Sequence, residues 1–228
     1  MITSAFIAGT DTEVGKTVIT CGLLRALNGI GRTTIGMKPV ATGAESTSAG
    51  LRNDDALQLI ANSEPKVSYS AVNPCVYKEP ASPNIAASRM GEEVKLDVIE
   101  AAYDICRAQA EIVLVEGIGG WRVPLSDTLQ TVDLVRYLDL PVILVCGMRL
   151  GCINHALLSA AAIVSDGMQL IGWVANAMGP DYLYQTETID ILRQGIPAPL
   201  LGVTAWHDPF DAVAITEALE AGLDRLVA

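Results

Sequence analysis

The sequence predicts an α/β protein: a mostly parallel sheet with helices packed on both faces. Short apolar runs alternate with segments of helical period along the whole chain. Two runs, Ile112-Val113-Leu114-Val115 and Val142-Ile143-Leu144-Val145, are continuously apolar rather than alternating. That is the pattern of strands buried on both faces of a parallel sheet. Repeated β-then-α units join parallel neighbours by right-handed crossovers, which lay helices on each side.

Taken in order, residues 2–8 read as the first strand and 17–27 as the helix after it. A second, shorter strand is expected at 33–38. Between 41 and 84 the rhythm breaks, with frequent Ser, Asn, Pro and Glu and a helix expected near 54–60. This stretch holds too few apolar residues for a core of its own and reads as an elaboration on the sheet's rim. Strands at 112–115 and 142–145 follow. Ile153, Ala156, Leu157, Ala160, Ala161 and Val164 then recur at helical spacing, a stripe expected to face the core. Strands at 170–175 and 199–203 and a last helix over 214–226 complete the series.

At 228 residues, half of them hydrophobic, the chain has the length of one domain, taken as 1–228. Lys and Arg number 15 against 26 Asp and Glu, a net charge of −11. That balance argues against nucleic acid or an anionic membrane as partner. The five cysteines contain no C-x-x-C pair, and Cys21, Cys75 and Cys106 read as small hydrophobes of a reducing compartment. The opening Met1-Ile2-Thr3-Ser4-Ala5-Phe6 lacks a basic leader. No apolar run approaches the roughly 20 residues that span a bilayer. A soluble, cytoplasmic protein is expected.

The chemistry begins at Gly9-Thr10-Asp11-Thr12-Glu13-Val14-Gly15-Lys16-Thr17, directly after the first strand and opening the first helix. This is the setting of a phosphate-binding loop. Backbone N–H groups and the helix N-terminus face the anion, Lys16 reaches the β and γ phosphates, and the Thr17 hydroxyl ligates magnesium. The spacing departs from G-x-x-x-x-G-K-[ST] in carrying Thr10 at the first glycine position. The expected architecture is therefore that of the P-loop nucleoside triphosphate hydrolases.

Magnesium prefers hard oxygen ligands in an octahedral set, so carboxylates are needed near the loop. Glu116 closes a buried strand and precedes Gly117-Ile118-Gly119-Gly120, which aims it at the same crevice; the competing reading is a solvated strand end. Asp54 and Asp55 open the rim helix, where acidic residues commonly cap N-termini. Lys38 ends the second strand, where a lysine can neutralise a transferring phosphoryl group or can be an ordinary surface residue.

These segments resemble the ATP-dependent dethiobiotin synthases. Besides the phosphate loop, the resemblance is carried by Lys38-Pro39-Val40, Arg52-Asn53-Asp54-Asp55, Val72-Asn73-Pro74, Val115-Glu116-Gly117, Gly119-Gly120-Trp121, Gly151-Cys152-Ile153-Asn154-His155, Gly172-Trp173-Val174-Ala175-Asn176 and Pro197-Ala198-Pro199-Leu200-Leu201-Gly202. They run in order over nearly the whole chain, and a shared superfold alone would not produce the set.

The resemblance implies that 7,8-diaminopelargonate, carbon dioxide and ATP become dethiobiotin, ADP and phosphate, with Mg²⁺ as cofactor. It implies catalytic roles for Lys38, Lys16, Thr12 and Glu13. Glu13, Val14, Gly15, Lys16, Thr17 and Val18 would hold the nucleotide, with Asp55, Glu116, Gly117, Ile118 and Gly119 beside it. Thr17, Asp55 and Glu116 would surround the metal. Asn176 is expected to read the adenine edge, with Ala177 next to it and Ala205, Trp206 and His207 forming a backbone-contacting adenine loop. Thr42, standing where a serine is common, and Lys38 would touch the substrate. Gly151, Cys152, Ile153 and Asn154 would seat its carboxylate tail at a helix N-terminus, across a homodimer interface. Arg149 keeps the charge of a lysine found in relatives. His155 reads as a helix or interface residue.

The principal alternative is a P-loop ATPase switch of the partition or targeting type. Many of those carry a signature lysine at the position of Asp11. A GTPase is disfavoured because Asn176-Ala177 does not continue into N-K-x-D. A non-catalytic binding module would need neither the magnesium-side groups nor two phosphate-side lysines.

Overall fold

A computed structural model describes residues 2–227. Its centre is a six-stranded sheet, ordered Leu200–Thr204, Leu170–Ala177, Val142–Met148, Ser4–Gly9, Ile112–Glu116 and Thr34–Met37. Every pairing in it is parallel. The continuously apolar runs form the middle of the sheet because both faces are covered, and every residue of Ser4–Gly9, Ile112–Glu116 and Val142–Met148 is buried.

The first face is covered by helices Lys16–Gly29, Asp54–Asn62 and Ala212–Val227. Their Ile19, Leu23, Leu59 and Leu219 meet Ala5, Ile7, Leu114 and Val145. On the other face, Leu96–Arg107, Thr131–Tyr137, Cys152–Ser165 and Gln185–Gly195 bring Ile99, Leu134, Ala156 and Leu192 against Phe6, Val115, Leu144 and Trp173. Close approach is decisive at Gly36. A Cβ there would lie 2.8 Å from Leu24 Cδ1 and 3.0 Å from Leu59, so both helices can press on the strand that precedes Lys38.

The rim elaboration contains an antiparallel hairpin, Glu45–Thr47 with Gly50–Arg52, and a short parallel pair, Val40–Ala41 with Cys75–Val76. Its helix packs on the sheet edge through Ala56 and Leu59. Strand and helix ends differ from expectation by one to three residues, as fraying ends do.

One expectation needs correction. On Cys152–Ser165 the buried residues are Cys152, Ala156, Ala160 and Ile163, while Ala161 and Val164 face outward. The helix is apolar nearly all round, so the sequence offers several equivalent stripes and packing selects one. All five cysteines are free and buried. No helix among the described residues is long and apolar enough to cross a membrane.

Candidate active site

The site lies where parallel strands end. The phosphate loop follows Ser4–Gly9, Glu116 ends the neighbouring strand, and Lys38 follows the strand beyond that. Their side chains therefore converge over the carboxyl ends of the strands, where α/β sheets bind ligands.

The loop turns into its helix through two left-handed residues, Glu13 at φ 58° and Gly15 at φ 89°. The glycine adopts that conformation freely, whereas the glutamate does so at a cost of order 1–2 kcal/mol. Lys16 bends back over the loop and donates to the carbonyls of Asp11 at 3.0 Å and Gly119 at 2.7 Å. Burial lowers its pKa, the nearby Lys38 charge lowers it further, and the net value is about 8.

Lys38 is 3% exposed, which excludes the surface-lysine reading. Its backbone is gripped from the rim: its N–H donates to the Val72 carbonyl at 2.8 Å, and its own carbonyl accepts from Asn73 Nδ2 at 2.6 Å. Its ammonium donates to Glu116 Oε1 at 2.7 Å and to the Gly117 carbonyl at 3.1 Å, and pairs with Asp55 Oδ2 at 2.9 Å. Burial works to lower its pKa, but the two carboxylates outweigh burial and hold it above the ordinary lysine value. Asp55 mirrors this: burial raises its pKa, Lys38 pulls it down more strongly, and the net direction is down.

Glu116 is 1% exposed, so the solvated strand end is also excluded. Its Oε1 accepts from Thr17 Oγ1 at 2.8 Å as well as from Lys38, while its Oε2 is buried without a partner. Two carboxylates, one of them with an orphaned oxygen, and a hydroxyl converge here. This donor set suits a hard divalent cation that completes its shell with water and phosphate oxygens. Acidic capping does not account for the rim helix, because Asn53 caps it by accepting from the Ala56 N–H at 3.3 Å. Asp55 is thereby left to face Lys38.

A cavity of about 400 Å³ brings together Thr12, Glu13, Gly15, Lys16, Thr17, Val18, Lys38, Thr42, Asp55, Glu116, Ile118 and Gly119. A second hollow of about 790 Å³ shares Thr12, Glu13, Thr42, Ile118 and Gly119 with it and extends to Pro80 and Arg122. Val14 and Gly117 are buried and do not line either hollow. Asn176, Ala177 and Ala205 to His207 stand at the ends of the next strands along and do not line either hollow. Gly151 to Asn154 also lie apart. Gly151 opens its helix at φ 94°. The Cys152 thiol is buried and its N–H donates to the Arg149 carbonyl at 3.0 Å. Gly151 and Asn154 are exposed, and Ile153 is partly so.

Sequence reasoning missed several contributors. Asn53 and Gln58 line the cavity; an Asn before two Asp is an N-cap signal that could have placed the first of them. Asn73, which holds the Lys38 backbone, carried no signal beyond its place in the resemblance.

A strand–loop–helix phosphate cradle with two lysines, a buried carboxylate at a neighbouring strand end and a half-buried one on the rim helix defines a nucleotide-binding protein of the P-loop class. The fold agrees. The chain superposes on the MinC:MinD cell division complex of Aquifex aeolicus with a TM-score of 0.61 at 12% identity, covering 99% of this chain and 96% of that one. It superposes on a ParA family ATPase of Chlorobium tepidum with a TM-score of 0.54 at 11% identity, covering 100% and 95%. At such identities only the fold is shared.

Sequence relatives are more specific. A family model described as an AAA domain matches residues 3–213. The ATP-dependent dethiobiotin synthetase BioD of Xanthomonas oryzae is 48% identical over 94% of this chain and 96% of its own length. That of Aromatoleum aromaticum is 50% identical over 92% and 94%, and BioD 1 of Salmonella typhi is 50% identical over 88% of each. The chain belongs to the family of ATP-dependent dethiobiotin synthetases.

Proposed function

We propose that this chain is a magnesium-dependent, cytoplasmic enzyme that uses ATP to close the ureido ring of dethiobiotin. One amine of 7,8-diaminopelargonate combines with carbon dioxide to a carbamate, releasing a proton. A carbamate oxygen attacks the γ-phosphorus and ADP departs, leaving a carbamic–phosphoric anhydride. The second amine attacks the anhydride carbon, expels phosphate and loses a proton as the ureido ring closes.

The observation that carries this reading is Lys38, a buried cation held by Glu116 and Asp55 within the wall shared with the phosphate loop. A loop that only gripped a nucleotide would not need a second buried lysine on a separate strand. Lys16 and Lys38 neutralise charge on the transferring phosphoryl group, and catalysis of that step is mainly positioning and electrostatics. Thr17, Asp55 and Glu116 are the residues that would hold Mg²⁺, which when bound neutralises phosphate oxygens. Thr12, Glu13 and Thr42, which border both hollows, are assigned to the diaminopelargonate side.

The carboxylate tail is assigned to Gly151, Cys152, Ile153 and Asn154 of a neighbouring subunit in a homodimer. Support comes from the outward apolar face beside this segment, where Leu150 is 92% and Leu158 62% exposed. Asn176 and the Ala205 to His207 loop are assigned to adenine. The test is ADP release with each substrate withheld in turn. Release that requires both diaminopelargonate and bicarbonate, with dethiobiotin as product, supports the reading; release independent of them refutes it.

A further inference from the structure

Asn176 lies outside the cavity, yet its amide touches the phosphate loop at one peptide. Nδ2 donates to the Val14 carbonyl at 2.9 Å, and Oδ1 accepts from the Thr204 hydroxyl at 2.6 Å. Thr204 is fully buried and stands directly opposite Asn176 in the register of the last two strands. The amide lies hard against the loop, since a Cβ on Gly15 would collide with Nδ2.

The consequence follows from peptide geometry. A trans peptide is planar, with its C=O and N–H pointing in opposite directions. Holding the Val14 carbonyl towards Asn176 therefore turns the Gly15 N–H away from Asn176, and Gly15 itself lines the cavity. Gly15 is left-handed at φ 89° and has no side chain to resist rotation of the peptide before it. Rotated, that peptide would present a carbonyl oxygen to an incoming anion.

Val14's carbonyl can only accept, so the amide must present Nδ2 to it, and the buried Oδ1 then needs a donor. Among the described residues Thr204 supplies it. We propose that Thr204, acting through Asn176, is a positioning residue that presets the Gly15 N–H for phosphate before any nucleotide arrives. This rests on the nucleotide-binding reading of the loop and adds a function for a strand that contributes nothing to the cavity wall.

The test compares wild type, Thr204→Val and Thr204→Ser by calorimetric titration with ADP and with inorganic tripolyphosphate, in EDTA. Loss of one buried donor predicts that Thr204→Val binds both ligands about 5- to 10-fold more weakly. Thr204→Ser, which keeps the hydroxyl, should remain within about two-fold of wild type. In turnover the KM for ATP should rise while kcat at saturation stays nearly unchanged, because the preset geometry is regained once phosphate is bound. Thr204→Ala carries the same prediction if the valine protein does not fold. Weaker ADP binding with unaltered tripolyphosphate binding would overturn the proposal, because Thr204 would then serve the base. So would unaltered binding of both ligands, or failure of serine to restore affinity. A wild-type protein that binds neither ligand would overturn the nucleotide reading itself and this inference with it.

Discussion

Replacing Lys38 by Met should reveal the charge balance beneath the phosphate loop. The ammonium stands 2.7 Å from Glu116 Oε1 and 2.9 Å from Asp55 Oδ2. Removing one partner of a buried pair strands the other, at a cost of about 3–5 kcal/mol. The two carboxylates do not share this equally. The Asp55 side chain is 39% exposed and water can solvate it, whereas that of Glu116 is inaccessible, so the loss falls mainly on Glu116. An unfolding free energy lower by about 3 kcal/mol at pH 7.5 is expected.

The pH dependence has a definite sign. Asp55 is held below its ordinary value of 3.8 because Lys38 outweighs burial. A depressed carboxyl contributes stability above its unfolded pKa and loses it as pH falls through the folded one. The Lys38→Met protein lacks that contribution, so the gap between the two proteins should narrow as pH drops below about 4. Urea unfolding followed by circular dichroism at pH 7.5, 5 and 3.5 reads both effects. Adding Glu116→Gln to Lys38→Met should restore part of the stability by removing the stranded charge. Turnover of folded Lys38→Met should fall about 10²- to 10³-fold. Wild-type stability at pH 7.5, or near-normal turnover, would refute the assignment of Lys38 as the buried cation of this site.

Three further outcomes are expected. With Lys16 titrating near 8 in the empty protein, ADP binding should take up protons around pH 8 and weaken as pH rises from 7.5 to 9; calorimetry in buffers of different ionisation enthalpy reads the proton count, and zero uptake at pH 8 would refute it. Glu116→Gln removes an anionic oxygen from the set with Thr17 and Asp55, so the Mg²⁺ concentration giving half-maximal turnover should rise several-fold; an unchanged titration would remove Glu116 from the metal's ligands. Asn154→Trp should raise the KM for diaminopelargonate far more than that for ATP, and mixing it with a Lys38→Ala protein should restore activity through hybrid dimers; exchange of subunits without recovery would exclude the shared site.

How much of this was legible depended on whether a residue's meaning is local. The phosphate loop, Glu116 and Lys38 were legible because strand, loop and helix signals adjoin them in sequence, and a charge ending an apolar run must lie at a strand's end. That Lys38 bridges Asp55 and Glu116 was not, since the three are brought together by strand order and by a rim helix whose docking depends on Gly36 and Leu59. Nor was the partnership of Asn176 with Thr204, which are 28 residues apart and meet only through strand register. The helix Cys152–Ser165 marks the limit of pattern reading. Hydrophobicity nearly all round it leaves the buried face undetermined until Ala156, Ala160 and Ile163 are packed.

The likeness to MinD and ParA proteins extends over the whole sheet, so architecture cannot separate a switch from a synthetase, and the separation must come from side chains. Asp11 occupies the loop position at which partition-type ATPases place a signature lysine. A lysine there would bring another cation to the phosphates. Asp11 instead accepts from the Thr12 N–H at 2.8 Å and from Arg149 at 2.6 Å, while its carbonyl holds Lys16 at 3.0 Å. Both members of the Arg149 pair are about half exposed, so the bridge contributes little to stability. Its value is geometric. Arg149 precedes Gly151 by two residues, and the carboxylate at position 11 ties the phosphate loop to the segment assigned to the substrate's tail. Asp11 in the loop thus leaves out the charge a switch would use and couples the phosphate loop to the segment that, in the proposed dimer, would serve the partner subunit's site.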